Sequence, residues 1–461
     1  MSDSPYFPGR ISRRQALRGA GIGFGHLALA GLLGQTGRRS FGSDAPGPGP
    51  LAPKAPHFPS KAKRIIFLFM QGATSQMDTW EYKPKLQEDD GKVGPGGGTL
   101  TGSKFKFAQH GETGTWVSEL YPHTAKHVDK FCFLRGLHTD TPAHPQAVIQ
   151  LHTGTALASL TRPSMGSWLL YGLGTENQDL PGYVTINPPP NFGGAVNYGS
   201  AFLPAHFQGT RINDIGYVPN LKAQSAGRLQ RKQLDLVQAM NRDLGASPSA
   251  PDQLDGVIQS YELAFKMQGK VPELLDIAKE PQSVLDEYGV QDGPGGSFAR
   301  QCLMARRLSE SGVRFVEVCH PGWDQHNNLH QGLIRNSKAT DQATAALLTD
   351  LERRGLLDET LVLFGSEFGR LPTAQGADGR DHNITGYPMW LAGAGVKAGY
   401  SHGATDEYGL NAVEGRMHTT DLHATILALL GLDHERLTYR YAGRDFRLTD
   451  VAGNVAREVF A

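Results

Sequence analysis

Apolar residues fall along this chain in two rhythms. Four short runs are nearly unbroken: Arg64–Met70 (RIIFLFM), Val313–Cys319 (VRFVEVC), Leu361–Phe364 (LVLF) and Met389–Ala392 (MWLA). Runs of strand length without period-two alternation fit strands covered on both faces, as in a parallel sheet. Between them the spacing turns helical. Phe298–Glu310 precedes the second run, and a long amphipathic stretch precedes the third, with Ala345, Leu348 and Leu351 on one face, Arg353 and Arg354 in its last turn and Gly355 as its stop. Near the C-terminus, Thr419 or Thr420 suits an N-cap and Asp421 the first turn; Leu422, Ile426 and Leu429 share a face before Gly431. Residues 221–290 read as helical with polar breaks, a peripheral insertion. Helices alternating with such strands predict right-handed βαβ units and an α/β fold.

The N-terminus follows another pattern. Ser12-Arg13-Arg14-Gln15-Ala16-Leu17 precedes GAGIGFGHLALAGLLG, a Gly-rich and mildly apolar segment of sixteen residues. A paired arginine before such a segment resembles a twin-arginine export signal, and the segment is shorter than the roughly 20 residues that span a bilayer. Residues 1–42 therefore read as a signal peptide, 43–60 as a Pro-rich extended linker and 61–455 as one domain. The expected destination is periplasmic or extracellular, with the twin-arginine export machinery as a partner and no integral membrane span after signal removal. No clear Ala-x-Ala cleavage site follows, so retention as a tether stays open.

Composition narrows the classes further. Lys and Arg total 45 against 45 acids, so no global field draws the chain to nucleic acid or an anionic membrane, and any anion binding must be local. With 57 Gly and 28 Pro, long loops are expected between core elements. Cys132, Cys302 and Cys319 sit in apolar surroundings and read as buried structural thiols.

In an open parallel sheet, ligands bind beyond the carboxyl ends of the strands. The segments after the first three runs, QGATSQMD, HPGWDQHNNLH and GSEFGR, should meet at that rim. One loop carries His320, Asp324, His326 and His330; carboxylate and imidazole together suit Zn, Mn or Fe, and a solvated polar loop is the plainer alternative. Glu367 ends its strand at the same edge, and Asp381-His382 follows in a loop holding Arg370 and Arg380. These arginines could grip a phosphate or sulfate oxygen, or pair with Glu367 structurally. His418 precedes the C-terminal helix as a ligand or an anion contact; His423, inside it, reads as packing. In RGLHTDTPAHPQAVIQLHTG, Pro145 suits a first helical turn, which puts His144 at a helix start, where it could act as acid, base or nucleophile, or simply cap. Ser75 reads as a turn cap more readily than as a nucleophile.

Taken together, SRRQAL, QGATSQMDTWEYKPK, HTDTPAHPQAVIQLHTG, HPGWDQH, GLLDETLVLFGSEFGRLP, GRDHN and DLHATILALLGLDHERLTYRYAGRDFRLTD resemble a twin-arginine-exported bacterial family of unknown function related to sulfatases, within the alkaline phosphatase-like superfamily. The resemblance implies a three-layer α/β/α sandwich with a mostly parallel sheet and metals at the strand ends. It also exposes departures from catalytic sulfatases. Gln71-Gly72 stands where their first strand ends in metal-binding aspartates, Glu367-Phe368 stands where they carry Asp-Asn or Asp-His, and no cysteine is placed to become formylglycine. Counting back from His152-Thr153-Gly154 puts His144 near their nucleophile.

The expectation is thus an exported metal-dependent hydrolase of sulfate or phosphate esters, acting on a sulfated or phosphorylated small molecule or glycan. Asp324, His326, Glu367, Asp381, His382 and His418 would share one or two divalent ions, Zn, Mn or Ca. Arg370 or Arg380 would hold ester oxygens, and His144 would move protons or attack. The rival is a sheet that has lost catalysis and binds polysaccharide or a protein partner at the cell envelope.

Overall fold

The structure, a computed structural model, describes Gly49 and residues 51–157, 161–218, 221, 227–245, 254–291 and 297–461; the export signal read in residues 1–42 lies outside them. The strands that matter for the site are β1 (Arg64–Met70), β2 (Phe131–His138), β3 (Tyr183–Ile186), β4 (Thr210–Ile212), β5 (Phe315–His320), β6 (Thr360–Gly365), β7 (Gly369–Ala374), β8 (Arg380–Asn383), β9 (Tyr387–Gly393), β10 (Tyr400–His402) and β11 (Met417–His418). The helices are α1 (His144–Thr153), α2 (Met165–Leu173), α3 (Gly227–Gly245), α4 (Leu254–Leu275), α5 (Phe298–Glu310), α6 (Leu329–Arg353) and α7 (Thr419–Leu429).

Nine strands form one sheet in the order β10-β2-β9-β6-β1-β5-β3-β4, with β11 also pairing with β2. All of them run the same way except β9, which is antiparallel to both β2 and β6. Each of the four apolar runs is a strand, and the sheet is mostly parallel as expected, the fourth run being its one antiparallel member. Burial on both faces says that a strand is central and leaves its direction open. Chain reversal is set here by the tight β7–β8 hairpin that precedes β9.

The unbroken character of β1 has a direct cause. Ile66, Leu68 and Met70 enter one core with Cys302, Leu303 and Met304 of α5 and Leu347, Leu348 and Leu351 of α6. Ile65, Phe67 and Phe69 enter the opposite core with Val148 and Leu151 of α1, Leu169 and Leu170 of α2, and Leu422 and Ile426 of α7. Alternate side chains therefore bury on opposite sides, and the sheet is the middle of three layers. The chain leaves β5, runs back along α6 and returns as β6, placing β5 and β6 on either side of β1. This brings the loops after all three to one rim. The region around 221–290 holds α3, α4 and the short helix Gln282–Tyr288, as its periodicity predicts. Residues 51–58, read as linker, lie against the domain: Thr175 N–H donates to Leu51 O, Lys54 N–H to Leu173 O and His57 N–H to Gly431 O. Cys132, Cys302 and Cys319 are free and buried. Among the described residues, no helix is long and apolar enough to cross a membrane.

One buried contact between α7 and α1 makes stability depend on pH. His423 is fully buried and donates Nε2–H to Leu151 O at 2.7 Å. Burial pushes its pKa down to about 4, below the roughly 6.5 of an exposed imidazole. As pH falls through 6.5, the unfolded chain takes up a proton that the folded one refuses, so stability declines until pH reaches about 4. At pH 5 this costs about 2 kcal/mol. His423→Gln keeps a donor for Leu151 and is expected to lose less stability than the parent between pH 7 and pH 5 in urea titrations. An equal loss in both proteins would show that His423 does not carry the effect.

Candidate metal centre

At the carboxyl rim, His144, Asp324, His326 and His382 each offer a ligand atom within 4.8 Å of the others. Four separate pieces of chain supply the cluster and its support. Pro145 starts α1 and sets His144 at its first position. The loop after β5 carries Asp324 and His326, anchored by Trp323, which is fully buried and donates its indole N–H to His320 Nδ1 at 3.1 Å. The β7–β8 hairpin pairs His382 directly opposite Arg370. The turn after β1 brings Gly72 under Asp324. With φ +108° and a Cβ position that would collide with the backbone N of Asp324, residue 72 must be glycine. The Gln71-Gly72 departure from the sulfatase pattern is thus a packing requirement of this loop.

The outer nitrogen of each imidazole has an acceptor. His144 Nδ1 lies 2.6 Å from Glu367 Oε1, His326 Nδ1 2.6 Å from Gln375 Oε1, and His382 Nδ1 2.6 Å from Pro142 O. A carbonyl can only accept, so Nδ1 of His382 carries the proton, and the same partners favour that tautomer in the other two. The inner Nε2 atoms then turn lone pairs toward Asp324 Oδ1, at 3.0 Å for His144, 2.9 Å for His326 and 3.4 Å for His382. His144 Nε2 is buried and lacks an aligned hydrogen-bond partner. Acceptors facing acceptors require a cation or a proton among them. Outer acceptors that fix the ring are what metal-binding histidines usually have.

The electrostatics agree. Burial disfavours charge on His144, but the carboxylates of Asp324 and Glu367 outweigh it and raise its pKa to about 9. Burial would also raise Asp324, yet His144, His382 and Arg370 hold it far below the usual carboxylate range. The centre is open on one side, where the Asp324 and His326 side chains are 37% and 32% exposed. His144 is wedged between Phe192 and Phe368, with ring centroids 5.0 and 4.7 Å away.

Of the residues expected here, Asp324, His326 and His382 come together, and His144 joins them as a ligand-grade imidazole instead of standing apart as a nucleophile. Glu367 is fully buried one step behind His144, accepting the Gly72 N–H at 3.0 and 3.2 Å with its two oxygens. Asp381 is exposed, its oxygen 3.8 Å from His326 Nδ1 and engaged by the backbone N–H of His382. His418 lies outside the cluster. It is the N-cap of α7, accepting from Thr420 N–H while Asp421 accepts the N–H of His418, and its Nε2 faces Asp140 at 3.1 Å.

Neither arginine is positioned to meet a substrate. Arg370 is fully buried and gives its protons to the carbonyls of Gly72, Ala73, Trp323 and Arg380 and to Asp324 Oδ1. Arg380 is buried on Asp78 at 2.8 Å, with Thr101 O and Leu371 O completing its shell. Ser75 is buried and donates to Asp78. His330 stacks on Phe105, away from the centre. Gln375 and Phe192 were missed in the sequence, and Gly72 was noted there only as a departure from the sulfatase pattern.

Residues 62–460 match the model of the family described as "Protein of unknown function (DUF1501)". The chain belongs to this family. No curated protein matches it. Several solved structures are similar to this DUF1501 protein at a distance. A protein in the alkaline phosphatase superfamily from Vibrio parahaemolyticus shares 11% identity over 83% of this chain and 70% of its own, with a TM-score of 0.37. The alkaline phosphatase from the Antarctic bacterium TAB5 shares 10% over 81% and 99%, with a TM-score of 0.34. The PsFucS1 sulfatase from Pseudoalteromonas sp. shares 14% over 81% and 68%, with a TM-score of 0.36. Values this low are silent on the reaction.

Proposed function

We propose that this DUF1501 protein is an exported metal-dependent hydrolase of sulfate or phosphate esters. The observation that carries the reading is the convergence of three imidazole Nε2 atoms and Asp324 Oδ1 on one open point at the sheet's carboxyl rim. Three nitrogen donors and one carboxylate suit Zn²⁺, Mn²⁺ or Fe²⁺, whereas Ca²⁺ takes six to eight oxygens. A bound divalent ion supplies Lewis-acid polarisation of an ester oxygen. The protein's part is to hold His144, His326 and His382 in one tautomer through Glu367, Gln375 and Pro142, and to keep Asp324 ionised. His144 is too enclosed, between two aromatic rings and Glu367, to leave its place and attack.

Export rests on Arg13-Arg14 and the mild apolar segment after them. The rival reading, a metal-holding envelope protein that binds polysaccharide or a protein partner without turnover, is favoured by one observation: both arginines suited to an ester's spectator oxygens are committed to the protein interior.

Protein recovered from the periplasmic fraction without chelator is expected to carry roughly one transition-metal ion per chain. It should also hydrolyse members of a panel of aryl sulfates, phosphates and phosphodiesters. Metal-free protein with full activity would sink the mechanism, retention in the cytoplasm would sink export, and metal without turnover on any ester would leave the binding reading standing.

A further inference from the structure

A cavity lies at the carboxyl ends of β3 and β5, with a volume of about 920 Å³. That position, next to a strand-end loop, is where open α/β sheets bind ligands, and the size suits a molecule of one or two sugar rings. Its chemistry is uneven. Arg335 and Lys338 both line it, three residues apart on α6, so their charges are neighbours on one helix face. Arg335 has only a long 3.4 Å contact to Asn336 Oδ1, Lys338 has no partner, and neither meets a carboxylate among the described residues. Two adjacent like charges destabilise a helix unless something opposes them.

Three carboxylates line the same space, and none of them forms an ion pair with Arg335 or Lys338. Asp341 is taken by the backbone N–H groups of His123 and Thr124, at 2.8 and 2.7 Å, and Glu119 accepts that of Lys106; Asp214 has no partner among the described residues. At the sheet end, His320 accepts the Trp323 indole N–H on Nδ1, so in the neutral ring Nε2 bears the proton. The ring also has a hydrogen bond to the Pro321 backbone, and its residue lines the same space. Phe298, packed edge-on against His320, supplies an apolar wall.

We infer that this cavity binds an organic anion, a sulfated or carboxylated molecule of about sugar size, held by Arg335 and Lys338. The inference stands apart from the metal reading, but the two sites share one loop: it begins at His320 in the cavity and reaches Asp324 and His326 in the centre.

Calorimetric titration of the metal-loaded protein with glucose 6-sulfate, glucuronate and glucose tests it. Either or both anions should bind saturably, and glucose should bind roughly tenfold or more weakly. The double variant Arg335→Gln, Lys338→Gln replaces exposed side chains, so it should fold and keep its metal while losing roughly tenfold or more in anion affinity. Three results would overturn the assignment: no saturation by either anion up to about 10 mM, wild-type affinity in the double variant, or anion binding abolished by Asp324→Asn and untouched by the double variant, which would put the anion at the metal centre.

Discussion

Asp324→Asn is expected to empty the metal centre while leaving the fold intact. The substitution keeps the shape of the side chain and an oxygen for the Arg370 Nη2–H, now 2.8 Å from Oδ1. It removes the one negative charge on which His144, His326 and His382 converge. Losing an outer partner of a metal-bound histidine costs roughly 10–100-fold in affinity, so loss of the only carboxylate among the four ligand-grade residues should exceed that. Ester turnover should fall in step with occupancy. Two companions make the result specific. Glu367→Gln keeps an acceptor for His144 Nδ1 but removes its charge, and should show the milder outer-partner loss. Asp381→Asn, exposed and 3.8 Å from the wrong nitrogen of His326, should retain metal. Metal content by elemental analysis decides the matter. Full occupancy in Asp324→Asn, or equal losses in the Asp324 and Asp381 variants, would mean that the cluster is not the ion's site.

The rim itself could be read from sequence because it follows from strand order and chain direction. Unbroken runs such as RIIFLFM and LVLF declare central strands, and residues just past their ends must gather. Asp324, His326 and His382 were therefore within reach of a single chain. The exchange of roles between His144 and Glu367 was not. It depends on which atoms of two residues far apart in sequence meet at 2.6 Å, and both the start of a helix and the end of a strand are equally good places for a ligand. β2 (FCFLRGLH) was not among the runs read as strands, although its Phe131–Leu134 is as apolar as LVLF, and it carries Arg135. The folded chain accommodates that charge by laying the guanidinium 4.4 Å over Phe133 and donating to Trp80 O. The arginines misled for a related reason: composition cannot tell a cation awaiting an anion from one whose donors are already met by backbone carbonyls. His418 was a similar case, where one imidazole before a helix can serve as a ligand or as a cap.

Replacing Arg370 is expected to damage stability more than chemistry. Its side chain is fully buried and reaches five acceptors: the carbonyls of Gly72, Ala73, Trp323 and Arg380, and Asp324 Oδ1. These belong to the turn after β1, the metal loop after β5 and the hairpin strand β8, so one guanidinium ties together the three pieces that build the centre. Arg370→Ala leaves four carbonyls and a carboxylate without their donor. Breaking a buried charged network by removing one partner costs about 3–5 kcal/mol, a large part of the 5–15 kcal/mol by which domains are stable. Arg370→Lys retains the charge yet supplies three donors in place of a planar fork of five, so it should recover only part of the loss. Denaturant midpoints measured on metal-free protein isolate this effect from ligand binding. An arginine that served mainly to grip substrate would give the opposite pattern, with Arg370→Ala as stable as the parent and impaired only in KM.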